Sequence, residues 1–374
     1  MPGINLTLLI GENVPRPAPR SLVEALKSVE VTQSDEGRSG FQIVFQLGRA
    51  NRNDMKDYQL LKDPLLKVFN RVILIVTIGA TAQVLMDGVI TNHQFSPSTE
   101  PGNSTFAITG EDVSVIMDLE KKSVEHPAQD EATIAHMVIS QPQYAKYGLV
   151  PNVISPQFKD RPTSNERIPS QQVTDLEYLK AIAARFSHVF YVIPGPTSGT
   201  NTAYWGPPQR RTQPQPALTV NMGTFTNITA INFQNNAMSA TEVKGKVQDR
   251  RTNQVQSVSE TTSDRPALSA QPALTQQTHR RTERFRETGR DTTQAAARAQ
   301  ATTDRSVDNV VTVTGDLNAT SYGGILQVRG VVTLRGVGFN YDGLYYVKSV
   351  THKISKGDYK QSFTITREGL GSTV

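Results

Sequence analysis

The sequence predicts a mainly β protein with an α+β insert, and three observations carry that prediction. Apolar residues alternate with polar ones in several segments of the first and last thirds of the chain, the period of a strand with one buried face. The middle third changes to a helical period. Glycines recur between the apolar runs of the last third, at Gly323, Gly324, Gly336, Gly338, Gly343 and Gly357, where they fit turns and bulges.

Taken in order, Phe41, Ile43, Phe45 and Leu47 alternate with Gln42, Val44 and Gln46. Residues 72–80 and 82–91 read as two strands around Gly79, followed by a turn-rich stretch over 97–103 and a strand over 104–109. These make a first β-barrel-like domain, 1–120. An α+β insert follows over 121–215. It has a short helix at 130–140 and a better one at 174–186, where Thr174 and Glu177 stand in capping-box spacing. Leu176, Leu179, Ile182, Ala183 and Phe186 line one face of that second helix. A Pro-rich connector, 151–169, separates the helices; a strand at 188–193 and another near 203–206 end at Pro207 and Pro208. No Gly-rich phosphate loop joins strand to helix, which argues against a nucleotide fold. A second β-barrel-like domain, 216–374, has strands at 217–222, 227–233 and 240–247 and again from Asn309 onward. Within it, 248–305 is rich in Thr, Gln, Arg, Ser and Asp. With almost no large apolar side chain except Phe285, it reads as a disordered or extended insertion with a weak helix near 292–302.

The two β regions resemble each other. Asp87-Gly88, His93 and Phe106 to Glu111 occur in the same order as Asp342-Gly343, His352 and Phe363 to Glu368. Two hairpins ending in similar strands point to a duplicated β unit, against the alternative of two ordinary hairpins alike by chance.

Composition narrows the function. With no cysteine, disulfides, thiolate zinc sites and cysteine nucleophiles are excluded. The net charge of +5 is concentrated between Glu242 and Arg305, where 12 Lys/Arg face 8 Asp/Glu. The first 13 residues lack a basic start, so no secretory signal is read and the chain is expected in the cytoplasm at synthesis. The longest apolar run, 72–78, is too short to span a bilayer.

Catalytic constellations are sparse. His93, His126, His136, His188, His279 and His352 are scattered, without a zinc-helix pair. Glu111, Asp112, Asp118 and Glu120 are the densest acidic cluster, and a glycosidase would need two such groups facing across a cleft; strand-end solvation is the plainer reading. Arg280, Arg281, Arg284 and Arg286 are interleaved with Glu283 and Glu287 and only one aromatic, Phe285, which favours ion pairing over a nucleic-acid track. No catalytic, cofactor-binding or metal-ligating residue is assigned, and no cofactor is expected.

Tyr322-Gly323-Gly324-Ile325-Leu326, Gly336-Val337-Gly338, Tyr341 to Val347, Val350 to Ile354 and Tyr359 to Glu368 resemble the closing barrel of the phage late-control-D family. The middle is similar too: a helix over 174–186, a strand, then Tyr204-Trp205-Gly206-Pro207, and later Glu242-Val243-Lys244-Gly245. The match runs from about Gln172 onward; the N-terminal third fits by architecture. The resemblance implies a structural tail hub of a phage tail, type VI-like or extracellular injection particle. Each protomer would supply two tube-like antiparallel β-barrel domains, and a homotrimer would form a pseudo-sixfold ring. Its implied partners are inner tube proteins above and a separate spike protein below. The polar insertion departs from the family, and its mixed Arg/Glu spacing makes 248–305 the expected docking element for wedge or sheath-proximal proteins. Neither nucleic-acid readout nor membrane insertion is implied. Two other functions stay open on the sequence: a baseplate-associated glycan-processing enzyme using the Glu111 to Glu120 carboxylates, and a basic nucleic-acid-binding module.

Overall fold

A computed structural model describes residues 4–12, 14–47, 58–100, 102–158, 162–163 and 165–373. Six strands form the first half: β1 (Ile4–Gly11), β2 (Leu26–Ser34), β3 (Gly40–Leu47), β4 (Arg71–Ile78), β5 (Thr81–Ser96) and β6 (Ser104–Asp112). In β3 the alternation behaves as the sequence predicts: Phe41, Ile43, Phe45 and Leu47 are all buried, in one core with Leu8, Val31, Leu74 and Ile108. The β4–β5 turn falls at Gly79, whose φ of 60° suits glycine.

The insert contains α1 (Glu131–Ile139), β7 (Leu149–Val153), α2 (Asp175–Ala184), β8 (Val189–Pro194) and β9 (Asn201–Gly206). Asp130 caps α1 by accepting from Thr133 N, and the Thr174–Glu177 capping box is formed at α2. Both helices pack with Phe190 and Trp205 in a core of their own. The predicted connector begins instead as a strand, since β7 pairs parallel to β9 from Leu149 to Val153. Pro151 is tolerated because β7 is an edge strand.

The last part contains β10 (Gln215–Thr219), β11 (Ile228–Asn235), β12 (Thr241–Gln248), β13 (Val255–Glu260), β14 (Arg281–Phe285), α3 (Thr292–Val307), β15 (Val311–Asn318), β16 (Val331–Arg335), β17 (Gly343–Ser355) and β18 (Asp358–Arg367). Here the structure corrects the sequence reading of 248–305. β12 leaves the main sheet and pairs with β13 and β14, and α3 packs on this small sheet. Val243, Val247 and Val258 meet Ala295 and Ala299 in a compact core, with Phe285 at its edge. Valines and an alanine stripe close a core that needs no large side chain, and Leu268 and Leu274 are buried elsewhere in the segment. The insertion therefore begins at about Thr241 and is ordered.

The main strands of the two expected barrel-like domains are not separate sheets. They join in a single 13-stranded sheet with the order β11-β15-β18-β17-β2-β3-β6-β5-β4-β1, a two-residue strand at Arg16–Pro17 beyond β1, and β16 and β10 continuing from β17. The joint is antiparallel, with Ser349 to Ser355 of β17 opposite Ser34 to Ser28 of β2. On either side of it, each half turns its apolar face to its own core.

Candidate assembly surface

The two halves share one connectivity. Along the sheet the first runs β2-β3-β6-β5-β4-β1 and the second β11-β15-β18-β17-β16-β10, so the six strands of each half take the same places in the same chain order. One difference is that β10 lies parallel to β16 whereas β1 is antiparallel to β4. Irregularities coincide as well. The β5–β6 register shifts between Ile90 and Asn92 and the β17–β18 register between Val347 and Ser349. Likewise β2 shifts between Leu26 and Ser28 and β11 between Ile228 and Ala230, each against the next strand. Aligned on these bulges, Ile108 corresponds to Phe363, and the residue match drawn from the sequence is displaced by two positions. Phe106 and Phe363 look alike in sequence but hold different places.

Opposite the cores, the sheet presents a polar wall. Around the second half it is built from Asn232, Thr314, Asp316, Ser349, Thr351, Ser362 and Thr364. At the joint, Thr32 and Thr351 hydroxyls meet at 3.1 Å. Gln42, Gln46 and Thr364 lie outside the core, and Phe41, Phe45, Phe363 and Ile365 lie within it. Thr366 departs from that pattern: it is 1% exposed and lines the same cleft as Arg210 and Tyr346.

Buried arginines fasten the pieces together. Arg71 pairs twice with Asp87, both at 2.7 Å, and donates to the carbonyls of Lys146, Tyr147 and Gly199, tying β4 to the insert. Arg329 donates to the carbonyls of Ser34 and Val192, with its guanidinium 3.9 Å from the Tyr191 ring centroid, and so joins both halves to the insert. Arg210 reaches Asp308 at 2.6 Å and Glu368 at 3.2 Å, while Arg265 shares Asp308 and reaches Ser187. None of these arginines was legible as special in the sequence, because partners such as Ser34 for Arg329 and Glu368 for Arg210 lie far along the chain.

The acidic cluster is occupied with structure. Arg38 bridges Glu111 at 2.8 Å and Asp118, and Thr174 Oγ1 donates to Asp118 at 2.6 Å. Asp112 accepts from Ser114 N, and burial pushes its carboxyl up. Glu120 is exposed. The histidines are not gathered either. Burial lowers His352 to about 3 and, with the Arg265 charge, His188 to about 4. His93 Nε2 lies 2.6 Å from the Leu66 carbonyl, His126 stacks on Tyr178, and His136 and His279 are exposed. Among the described residues no three His, Asp or Glu groups could hold a metal, and no helix is long and apolar enough to cross a membrane. Arg280 is paired with Glu242 at 2.6 Å, whereas Arg281, Arg284 and Arg286 are exposed on or beside β14.

The fold recurs in solved structures. The tail protein from Neisseria meningitidis MC58 matches over 99% of this chain and 98% of its own, with a TM-score of 0.64 at 12% identity. The chain has the fold of phage tail proteins. The 43 kDa tail protein of prophage MuSo2 from Shewanella oneidensis matches over 97% of this chain and 98% of its own, at a TM-score of 0.62 and 13% identity. An Escherichia coli component of the type VI secretion system, described as similar to T4 tail proteins, covers 91% of this chain with 73% of its own, at 0.57 and 11%. No family model matches the sequence, and no curated protein matches it.

Proposed function

We propose that this protein is the baseplate hub of a contractile injection system, of the late-control-D kind, and that three copies form a ring adapting a sixfold inner tube to a threefold spike. The observation that carries the reading is the repeated strand order: two like β units per chain become six in a trimer, which reconciles the two symmetries. The largely polar wall of the sheet faces the channel and offers a passing payload little apolar surface to hold. The reading needs no catalysis: of the four carboxylates a glycosidase could use, Glu111, Asp112 and Asp118 are engaged by Arg38, Ser114 N and Thr174, which leaves Glu120 alone exposed rather than a pair facing across a cleft. Its partners are tube proteins above, a spike protein below and wedge or sheath-proximal proteins at the side.

The 241–307 insertion is the lateral docking element, and its exposed Arg281, Arg284 and Arg286 select the neighbour by charge. Substituting these three with serine should leave a folded hub that no longer enters particles; normal incorporation rejects the docking role. Light scattering and electron microscopy test the hub itself. A trimeric ring is expected, and a stable monomer or dimer at micromolar concentration, alone and with the tube protein, overturns it.

A further inference from the structure

The repeat leaves two strand edges open in places that the chain itself shows how to fill. Within the chain, residues 349–355 of β17 pair with residues 28–34 of β2. By the bulge alignment, the counterpart of β17 is β5, with Asn92 at the place of Ser349, and the counterpart of β2 is β11, with Ala230 at the place of Ser28. Among the described residues, 92–96 pair with β6 on one side only and β11 is the last strand of the sheet, so no described strand covers either edge.

Free edges usually carry a lysine, a proline or an inward charge that repels a second strand. These carry none: residues 91–96 read TNHQFS and 228–236 read ITAINFQNN. Pro97 stands where such pairing would have to stop. The aromatic side chains also match. Phe95 is 38% exposed and touches Tyr58 at 5.0 Å between centroids; Phe233, half-buried, touches Tyr341 at 4.7 Å. Both point to the core side of the sheet, at the places held by His352 and Val31 in the internal seam.

We infer that β11 of one copy adds antiparallel to residues 92–96 of a second copy, with Phe95 opposite Phe233 and Gln94 opposite Gln234. The seam between chains repeats the β2–β17 seam within each chain. Gln94 and Gln234 take the positions of Thr351 and Thr32 on the polar wall, and Tyr58, Phe95, Phe233 and Tyr341 form one aromatic cluster. Because each copy uses a different edge at its two ends, the contact is head-to-tail and closes into a ring or grows as a filament. The inference deepens the hub reading and rests on it for closure at three copies.

Cysteine pairs test the register in a chain that has no cysteine of its own. Directly opposite residues in an antiparallel pair have Cα atoms about 4.5–5.5 Å apart, within disulfide range. The double variant Gln94→Cys, Gln234→Cys, oxidised in the assembled protein, should give intermolecular bands on a non-reducing gel. Gln94→Cys with Ala230→Cys, displaced by four residues or roughly 13 Å, should give none. Light scattering on the same samples counts the copies. A trimer whose matched pair fails to cross-link, or links no better than the displaced pair, overturns the seam and leaves the hub standing. Matched cross-links in a particle of some other copy number support the seam and overturn the threefold hub. An uncross-linked monomer overturns both.

Discussion

Replacing His352 with leucine isolates one buried titration at the seam between the two halves. Gln33 Nε2 donates to the Leu85 carbonyl at 2.6 Å, which leaves its oxygen to accept from His352 Nε2 at 3.3 Å. Gln361, held by both backbone groups of Leu326, turns its amide nitrogen to His352 Nδ1, and the Tyr359 hydroxyl lies 2.8 Å from the same atom. The neutral ring is satisfied on both sides, whereas a proton on Nδ1 would meet donors. Burial accordingly holds this imidazole at about 3, against 6.5 when exposed. Above 6.5 both folded and unfolded chains carry it neutral, and pH has no effect through this group. As pH falls below 6.5 the unfolded chain takes up a proton that the native chain refuses, so stability is lost progressively toward about 3. At about pH 5, roughly 1.5 units down, the loss is about 2 kcal/mol. The leucine variant also loses the Tyr359 and Gln33 hydrogen bonds, a constant deficit of roughly 1–3 kcal/mol for each group orphaned. Urea unfolding followed by circular dichroism at about pH 8 and about pH 5 separates the two effects: the wild type should lose about 2 kcal/mol more than the variant between those conditions. Parallel losses, equal to within roughly 0.5 kcal/mol, would refute the buried, neutral histidine.

Three further outcomes follow from other buried groups. Arg71→Met leaves the Asp87 carboxylate buried without its cation and should cost about 3–5 kcal/mol in urea unfolding; adding Asp87→Leu should recover part of it. Asp35 behaves oppositely to His352. Burial, and then Glu36, raise its carboxyl to about 7 against the pull of Lys348 and Arg329, so native stability is lost as pH rises from 3.8 toward 7. The advantage of Asp35→Asn over the wild type should therefore grow by roughly 2 kcal/mol between about pH 5 and about pH 7, and a flat difference contradicts the assignment. Ala299→Leu overfills the core under α3 by an expected 1–3 kcal/mol, roughly, and should speed hydrogen exchange in 241–307 while the main sheet keeps its protection.

The sequence by itself determined the local elements. Phe41 to Leu47 alternate because a strand turns successive side chains to opposite faces, and the Thr174–Glu177 spacing places a helix start because those side chains satisfy its first amides. The strands over 41–47, 72–80, 82–91 and 104–109 and the helices of the α+β insert were legible for the same reason, whereas β2, the strand at the joint, was not read. Register was not: two hairpins matched by residue type are displaced by two positions from the match that their bulges dictate, since pairing is set by the neighbouring strand rather than by the strand's own pattern. The insertion misled because alanine contributes little apolar surface alone; Ala295 and Ala299 become a core when α3 lays them against Val243, Val247 and Val258. Arg329 has partners at Ser34 and Val192, and β2 meets β17 across more than 300 residues, so nothing near either strand announces the joint. What only the tertiary structure decided is therefore the joining of edges. Which edges pair, and which stay open, depends on where the whole sheet brings the ends of strands that are distant in the chain.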